Sequence, residues 1–247
     1  MSKISCKVIS VDFDKIPNEY SPYEDDTKSK EWREFYSRRY SERRKRLLDF
    51  ISKNESDFDI QIIDAITPNE FKIVENLVEF EEKTFALDKA AGYYPSSEVF
   101  YAANNLSHLK IWEIDEDTLI LEDDVVLSNE IMHNIKNTIF EFNSIENDGF
   151  VLYLQISTPW SEDGFDKSIT YQNILSENLA HTESFDVSGT SAYYINRETK
   201  KIFLENFEEL CACDRFIDKL RKRGLVKYCI PINKENMFSL DKETMLL

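Results

Sequence analysis

Apolar and polar positions along the chain follow two periods, and together they predict strands alternating with helices. Residues 7–13 (KVISVDF) are mostly apolar and β-branched, which reads as a first strand. Residues 59–66 (DIQIIDAI) alternate like a short strand and stop at Thr67-Pro68. Residues 118–121, 150–157 (FVLYLQIS) and 191–196 (SAYYIN) supply three more strands. A helix is expected over 31–52, closed by Leu47, Leu48, Phe50 and Ile51, and an acidic one over 70–89. Ala102, Leu106 and Leu109 share one helical face with Trp112 at its margin. Further helices fit 129–142, 197–207 and 214–223, the last ended by Gly224. Residues 15–30 hold Pro17 and Pro22 with little periodicity and read as a loop or mobile insertion, as do 92–97 as a loop. The alternation predicts an α/β fold with a largely parallel sheet.

Length and composition narrow the class. The 247 residues show no internal repeat and suit one domain over 1–247, with a loop insertion at about residues 15–40. At 42% hydrophobic and 13% aromatic, the chain has material for a real core, so wholesale disorder is excluded. Acidic side chains outnumber basic ones 47 to 30, a net charge of −17, which disfavours non-specific binding to nucleic acid or anionic membrane. No apolar run is long enough for a transmembrane segment, and the first residues lack a secretory pattern. Cys6, Cys211, Cys213 and Cys229 are too few and too scattered for a disulfide framework. Reduced thiols in a cytoplasmic protein are the expectation.

The strongest chemical signal is LILEDDVVL over 119–127, three consecutive carboxylates between apolar runs. Buried side by side, ionised acids are costly without compensation. At the C-terminal end of a parallel strand they would face the crevice where open α/β sheets bind ligands. A divalent cation there would relieve their repulsion and bridge to a phosphate-bearing substrate. An acidic turn leading into a helix N-terminus is the competing structural explanation. The one basic island, Arg33, Arg38, Arg39, Arg43, Arg44, Lys45 and Arg46, is either a solvated helix face or an anion contact. His133, on an expected surface helix, has no claim to chemistry.

The segment 105–112 (NLSHLKIW), followed by LILEDD, resembles glycosyltransferase family 25, the lipooligosaccharide and collagen galactosyltransferase group. Further blocks occur in the family's order. Residues 7–11 are similar to its opening strand and Glu42-Arg43-Arg44 to its Glu-Arg-Arg. Gly189-Thr190-Ser191-Ala192-Tyr193-Tyr194-Ile195 resembles its Gly-Thr-x-Ala-Tyr strand, and Cys213-Asp214-Arg215-Phe216 its Asp-containing helix start. Two features depart from the pattern. Ala103-Asn104 stands where the family usually has Gly-Cys, and residues 15–42 separate two blocks that are normally close.

The resemblance implies a GT-A type fold, a mixed, mostly parallel sheet flanked by helices with a Rossmann-like nucleotide-sugar half. It also implies transfer of a hexose, galactose or glucose, from a UDP-sugar donor to a glycan or protein acceptor with inversion. Glu122, Asp123 and Asp124 would then hold Mn²⁺ or Mg²⁺, with His181 or Asp186 as a further ligand. Val8, Ser10, Arg43, Arg44, Ser107, His108 and Asp123 would meet the donor. Asp214 would be the base, or else an N-cap aspartate. His108 would orient substrate, or else be a buried histidine with a satisfied partner. The competing functions are metal-dependent phosphoryl transfer and a catalytically inactive nucleotide-sugar-binding relative.

Overall fold

The computed structural model describes residues 3–16, 26–53, 57–67, 96–155, 171–183, 190–207 and 212–241. Eight strands form one sheet: β1 (Ile4–Ser10), β2 (Phe58–Asp64), β3 (Thr118–Glu122), β4 (Phe150–Tyr153), β5 (Tyr171–Ile174), β6 (Leu179–Thr182), β7 (Ala192–Ile195) and β8 (Lys227–Pro231). Their order is β2-β1-β3-β7-β4-β8-β6-β5. β2, β1 and β3 run parallel, as does the β4–β8 pair, whereas β7 is antiparallel to both its neighbours and β6 to β8 and β5. The sheet is therefore mixed, and its one continuous parallel block is the N-terminal three strands.

Among the described residues five helices flank it: α1 (Asp26–Lys53), α2 (Ser96–Trp112), α3 (Asn129–Phe142), α4 (Arg197–Glu205) and α5 (Cys213–Lys222). Parity along β3 divides the core. Leu119 and Leu121 pack with Val8, Leu47, Met132, Ile135 and Phe142 on one face. Ile120 packs with Ile9, Ile111, Trp112, Tyr193 and Phe216 on the other. Glu122 continues the parity of Ile120, which aims it at α2. Ser128 caps α3 by accepting from the Ile131 amide, and Asn196 caps α4 through Thr199. Gly224, at φ +72°, ends α5 as expected.

Several expectations change. Residues 26–30, expected as loop, belong to the start of α1, and a short 3-10 turn covers Phe13–Lys15; residues 17–25 of the expected loop lie outside the described residues. That first part of α1 lacks an apolar stripe and is held by aromatic and cationic contacts instead. Tyr36 stacks on Tyr40, Tyr40 on Phe13, and Arg33 sits 5.4 Å over the Phe13 ring. β5, β6 and β8 add to the expected strands; β5 is polar and exposed while β6 and β8 are short, so neither period marks them. The β5–β6 turn is fastened to α3 by Glu141, which accepts from Ser176 Oγ and from both nitrogens of Asn178. The helix expected over 70–89 lies outside the described residues. Among the described residues no helix is long and apolar enough to cross a membrane.

Candidate functional site

Parallel pairing of β1 with β3 brings Ile9 opposite Glu122, so both strands end at the same edge of the sheet. There the chain turns through Asp123 and Asp124. The turn is closed by Val125 N–H bonding the Glu122 carbonyl and by residues 239–241, whose Ser239 carbonyl and Asp241 amide pair with Val126 and Asp124. The three acids then diverge.

Glu122 points towards α2. Its Oε1 accepts from Asn104 Nδ2 at 3.0 Å, Thr190 Oγ1 at 3.0 Å and His108 Nε2 at 3.2 Å. Its Oε2 accepts from Ser191 Oγ at 3.3 Å. Burial alone would raise this carboxyl, but the bonds from His108, Asn104 and Thr190 outweigh it and hold it below the usual range. An ionised carboxylate only accepts, so Nε2 of His108 donates to it, and Nδ1 lies 2.8 Å from the Tyr193 hydroxyl. Tyr193 in turn accepts from the Trp112 indole N–H at 3.0 Å. The result is a connected chain, Trp112–Tyr193–His108–Glu122, buried under α2.

Asp123 turns the other way, towards α1. Its Oδ1 lies 3.6 Å from Arg43 Nη1, with both side chains only 7% exposed, and its Oδ2 accepts from the Val11 amide at 3.1 Å. Burial pushes this carboxyl up to about 6, against the pull of Arg43 and of the Ser10 hydroxyl. Asp124 has the least support. Its Oδ1 is buried with no hydrogen-bond partner among the described residues. Burial, aided by repulsion from Glu122, pushes its carboxyl up to about 7.

Beside the turn a cleft of about 100 Å³ opens to solvent, lined by Val8, Leu47, Phe50, Glu122, Asp123 and Val125 together with Arg43 and Arg46. Val8 and Ser10 are buried on β1 at this edge, on the same strand face as the cleft. Arg44 is directed elsewhere: with Lys15 it binds Asp64 at the end of β2, at 2.8 and 2.6 Å. Arg46 pairs with Asp241.

Ser107 and His108, expected at the donor, are both fully buried. The Ser107 hydroxyl is committed to the Ala103 carbonyl and the Ile66 amide, tying α2 to the segment after β2. His108 reaches the site only through Glu122. Asp214 is mostly buried in the first turn of α5; the N-cap position belongs to Ala212, so the capping alternative is set aside. Asp214 Oδ1 accepts from the Arg215 amide at 2.7 Å, yet burial and the Glu122 charge raise its carboxyl. His181 does not join the acids. It sits on β6, four strands from β3, 3.2 Å from Glu183 and edge-on to Phe150. Asp186 lies outside the described residues.

Among the described residues no three His, Cys, Asp or Glu side chains converge as a ready metal cage. Mg²⁺ rarely uses one, because it keeps waters and shares substrate phosphates with one or two carboxylates. Of the three acids, Asp124 alone combines burial, raised basicity and an oxygen without a partner, and this suits a cation; Glu122 and Asp123 are already engaged. Asn104, Thr190, Ser191 and Tyr193 join the site without having been expected there from their residue types. The signal for Asn104 is its place in the helix four residues before His108, one turn along the same face.

A mixed sheet flanked by helices, with an acidic turn after a central strand, is consistent with a GT-A-like glycosyltransferase fold. The family model for glycosyltransferase family 25, described as LPS biosynthesis protein, matches residues 38–217. The chain belongs to that family and is a glycosyltransferase, which decides against phosphoryl transfer. The match takes in Arg43, Arg44, Asn104, the acid triplet and Asp214, but not β1. None of the curated proteins compared with the chain matches it.

Proposed function

We propose that the protein is an inverting, cation-dependent hexosyltransferase that moves galactose or glucose from a UDP-sugar to a glycan or protein acceptor. What carries this reading is the buried, unpartnered Oδ1 of Asp124 at the C-terminal edge of the sheet. Asp124 would hold Mn²⁺ or Mg²⁺, whose charge would stabilise the departing pyrophosphate. An acid raised by burial and by like charge gains most from a positive partner, which supports the assignment. Arg43 keeps Asp123 turned away from that oxygen and lends a guanidinium to the cleft wall. The cleft, floored by Val8 and edged by Ser10, is the place for the donor.

Asp214 takes the part of the base. The acceptor oxygen attacks the anomeric carbon from the face opposite the phosphate, and the bond from that carbon to the UDP oxygen breaks with its electron pair leaving on UDP. The hydroxyl proton passes to the Asp214 carboxylate. Its raised proton affinity supports that task.

The test joins binding to turnover. UDP with Mn²⁺ is expected to raise the melting temperature, and EDTA to cancel the rise, since a ligand of the native state stabilises it. Release of UDP from a panel of UDP-sugars identifies the donor. Asp124→Ala should abolish transfer while the fold persists; activity retained in that variant removes Asp124 from the mechanism.

A further inference from the structure

Resting on the reading of Asp124 as the cation's carboxylate, we propose that Glu122 is a positioning residue and not a cation ligand: it is an anionic hub that locks α2, the end of β3 and residues 190–191 together, with Asn104 and His108 as the donors that hold it in place. Three donors within 3.2 Å occupy Oε1, and Ser191 faces Oε2. Strand parity aims the side chain at α2, where Asn104 and His108 meet it, although Glu122 also borders the cleft. A cation drawn to this carboxylate would have to displace the hydrogen bonds from Asn104, His108 and Thr190, whereas one drawn to Asp124 displaces none at Oδ1 among the described residues.

The backbone shows what the hub controls. Glu122 donates its amide to the Ser191 carbonyl at 2.8 Å, and its own carbonyl accepts from Val125 across the turn that carries Asp124. The backbone of Glu122 is thus joined both to Ser191 and to the turn that carries Asp124. Behind it, Tyr193 and Trp112 fix the imidazole of His108 from the far side. Asn104, which departs from the family's usual residue, supplies this chain with a donor to the same oxygen. Outer partners of this kind orient ligands without touching the ion.

Two measurements on the full chain test the assignment: Mn²⁺ affinity in the presence of UDP, by calorimetry or by the paramagnetic resonance of free Mn²⁺, and the separate kcat and donor KM of transfer. Glu122→Gln keeps an acceptor oxygen, so its Mn²⁺ affinity should stay within about threefold of wild type, while Asp124→Asn should lose about tenfold or more. Glu122→Ala and His108→Ala should lower kcat about 10–100-fold with donor KM nearly unchanged, the mark of lost alignment. His108→Gln, whose amide nitrogen can replace Nε2 as donor, should recover much of that kcat. Where Glu122→Ala does not fold, His108→Ala and Asn104→Ala carry the kinetic arm. The proposal is overturned if Glu122→Gln loses Mn²⁺ as completely as Asp124→Asn, or if His108→Ala turns over at the wild-type rate. A wild-type protein that ignores Mn²⁺ in the presence of UDP overturns the cation reading instead, and the kcat arm still decides the role of Glu122.

Discussion

Glu122 and Asp124 are acids two residues apart on one turn, and the fold treats them oppositely. Glu122 sits on the α2 side among four hydrogen-bond donors, and its carboxyl is held below the ordinary range. Asp124 is buried without a partner at Oδ1, and its carboxyl rises to about 7. Asp123 lies between these extremes, supported by Arg43 and the Val11 amide yet still raised to about 6. Identical charge at adjacent positions therefore does different work. At Glu122 donors converge and tie the acid into the fold; at Asp124 one buried oxygen has no hydrogen-bond partner among the described residues.

The contrast can be broken most forcefully at its basic partner. Arg43→Met would leave Asp123 buried beside two other acids, and we expect a loss of about 3 kcal/mol in urea unfolding. The double variant Arg43→Met with Asp123→Asn should recover most of it. A single variant as stable as wild type would mean that Asp123 draws its support from Ser10 and Val11 alone.

A pH series on cation-free protein sharpens the difference between the two outer acids. A carboxyl whose folded value is raised favours the native state below its unfolded value, near 4, and loses that advantage as pH climbs through about 7. Glu122, lowered in the fold, contributes above its unfolded value and loses that as pH falls. The melting temperature should accordingly decline between about pH 4 and 7, and Asp124→Asn should flatten the decline. If the slope is unchanged in that variant, the strain does not reside at Asp124.

The smallest effect is expected on the donor side. Asn104→Ala removes one of four bonds to Glu122 and should cost about 1.5 kcal/mol by thermal or chemical melting. A neutral result would show that His108, Thr190 and Ser191 suffice to keep the hub in place.

Much of the fold is legible in the sequence. The strands at 7–13, 59–66 and 118–121, the helices at 129–142 and 214–223, and the acid triplet between apolar runs follow from periodicity and burial cost, both local properties. β5, β6 and β8 are not legible, because a short strand of mixed polarity has no period to detect and gains its place by pairing with distant neighbours. The N-terminal part of α1 is hidden for a related reason, since Phe13, from outside the helix, completes its aromatic stack. Ser107 and His108 stand out together in the sequence, but their direction does not: they face inward, to Ile66 and to Glu122.

The order of residues alone thus determined that this is an α/β protein of glycosyltransferase family 25 with clustered carboxylates after a central strand, since residue type and spacing carry that information. Only the tertiary structure decided which of those carboxylates is saturated with donors. Hydrogen-bond saturation depends on side chains that meet across 14, 18, 68 and 69 positions of the chain. No local window of sequence contains both a carboxylate and all of its donors.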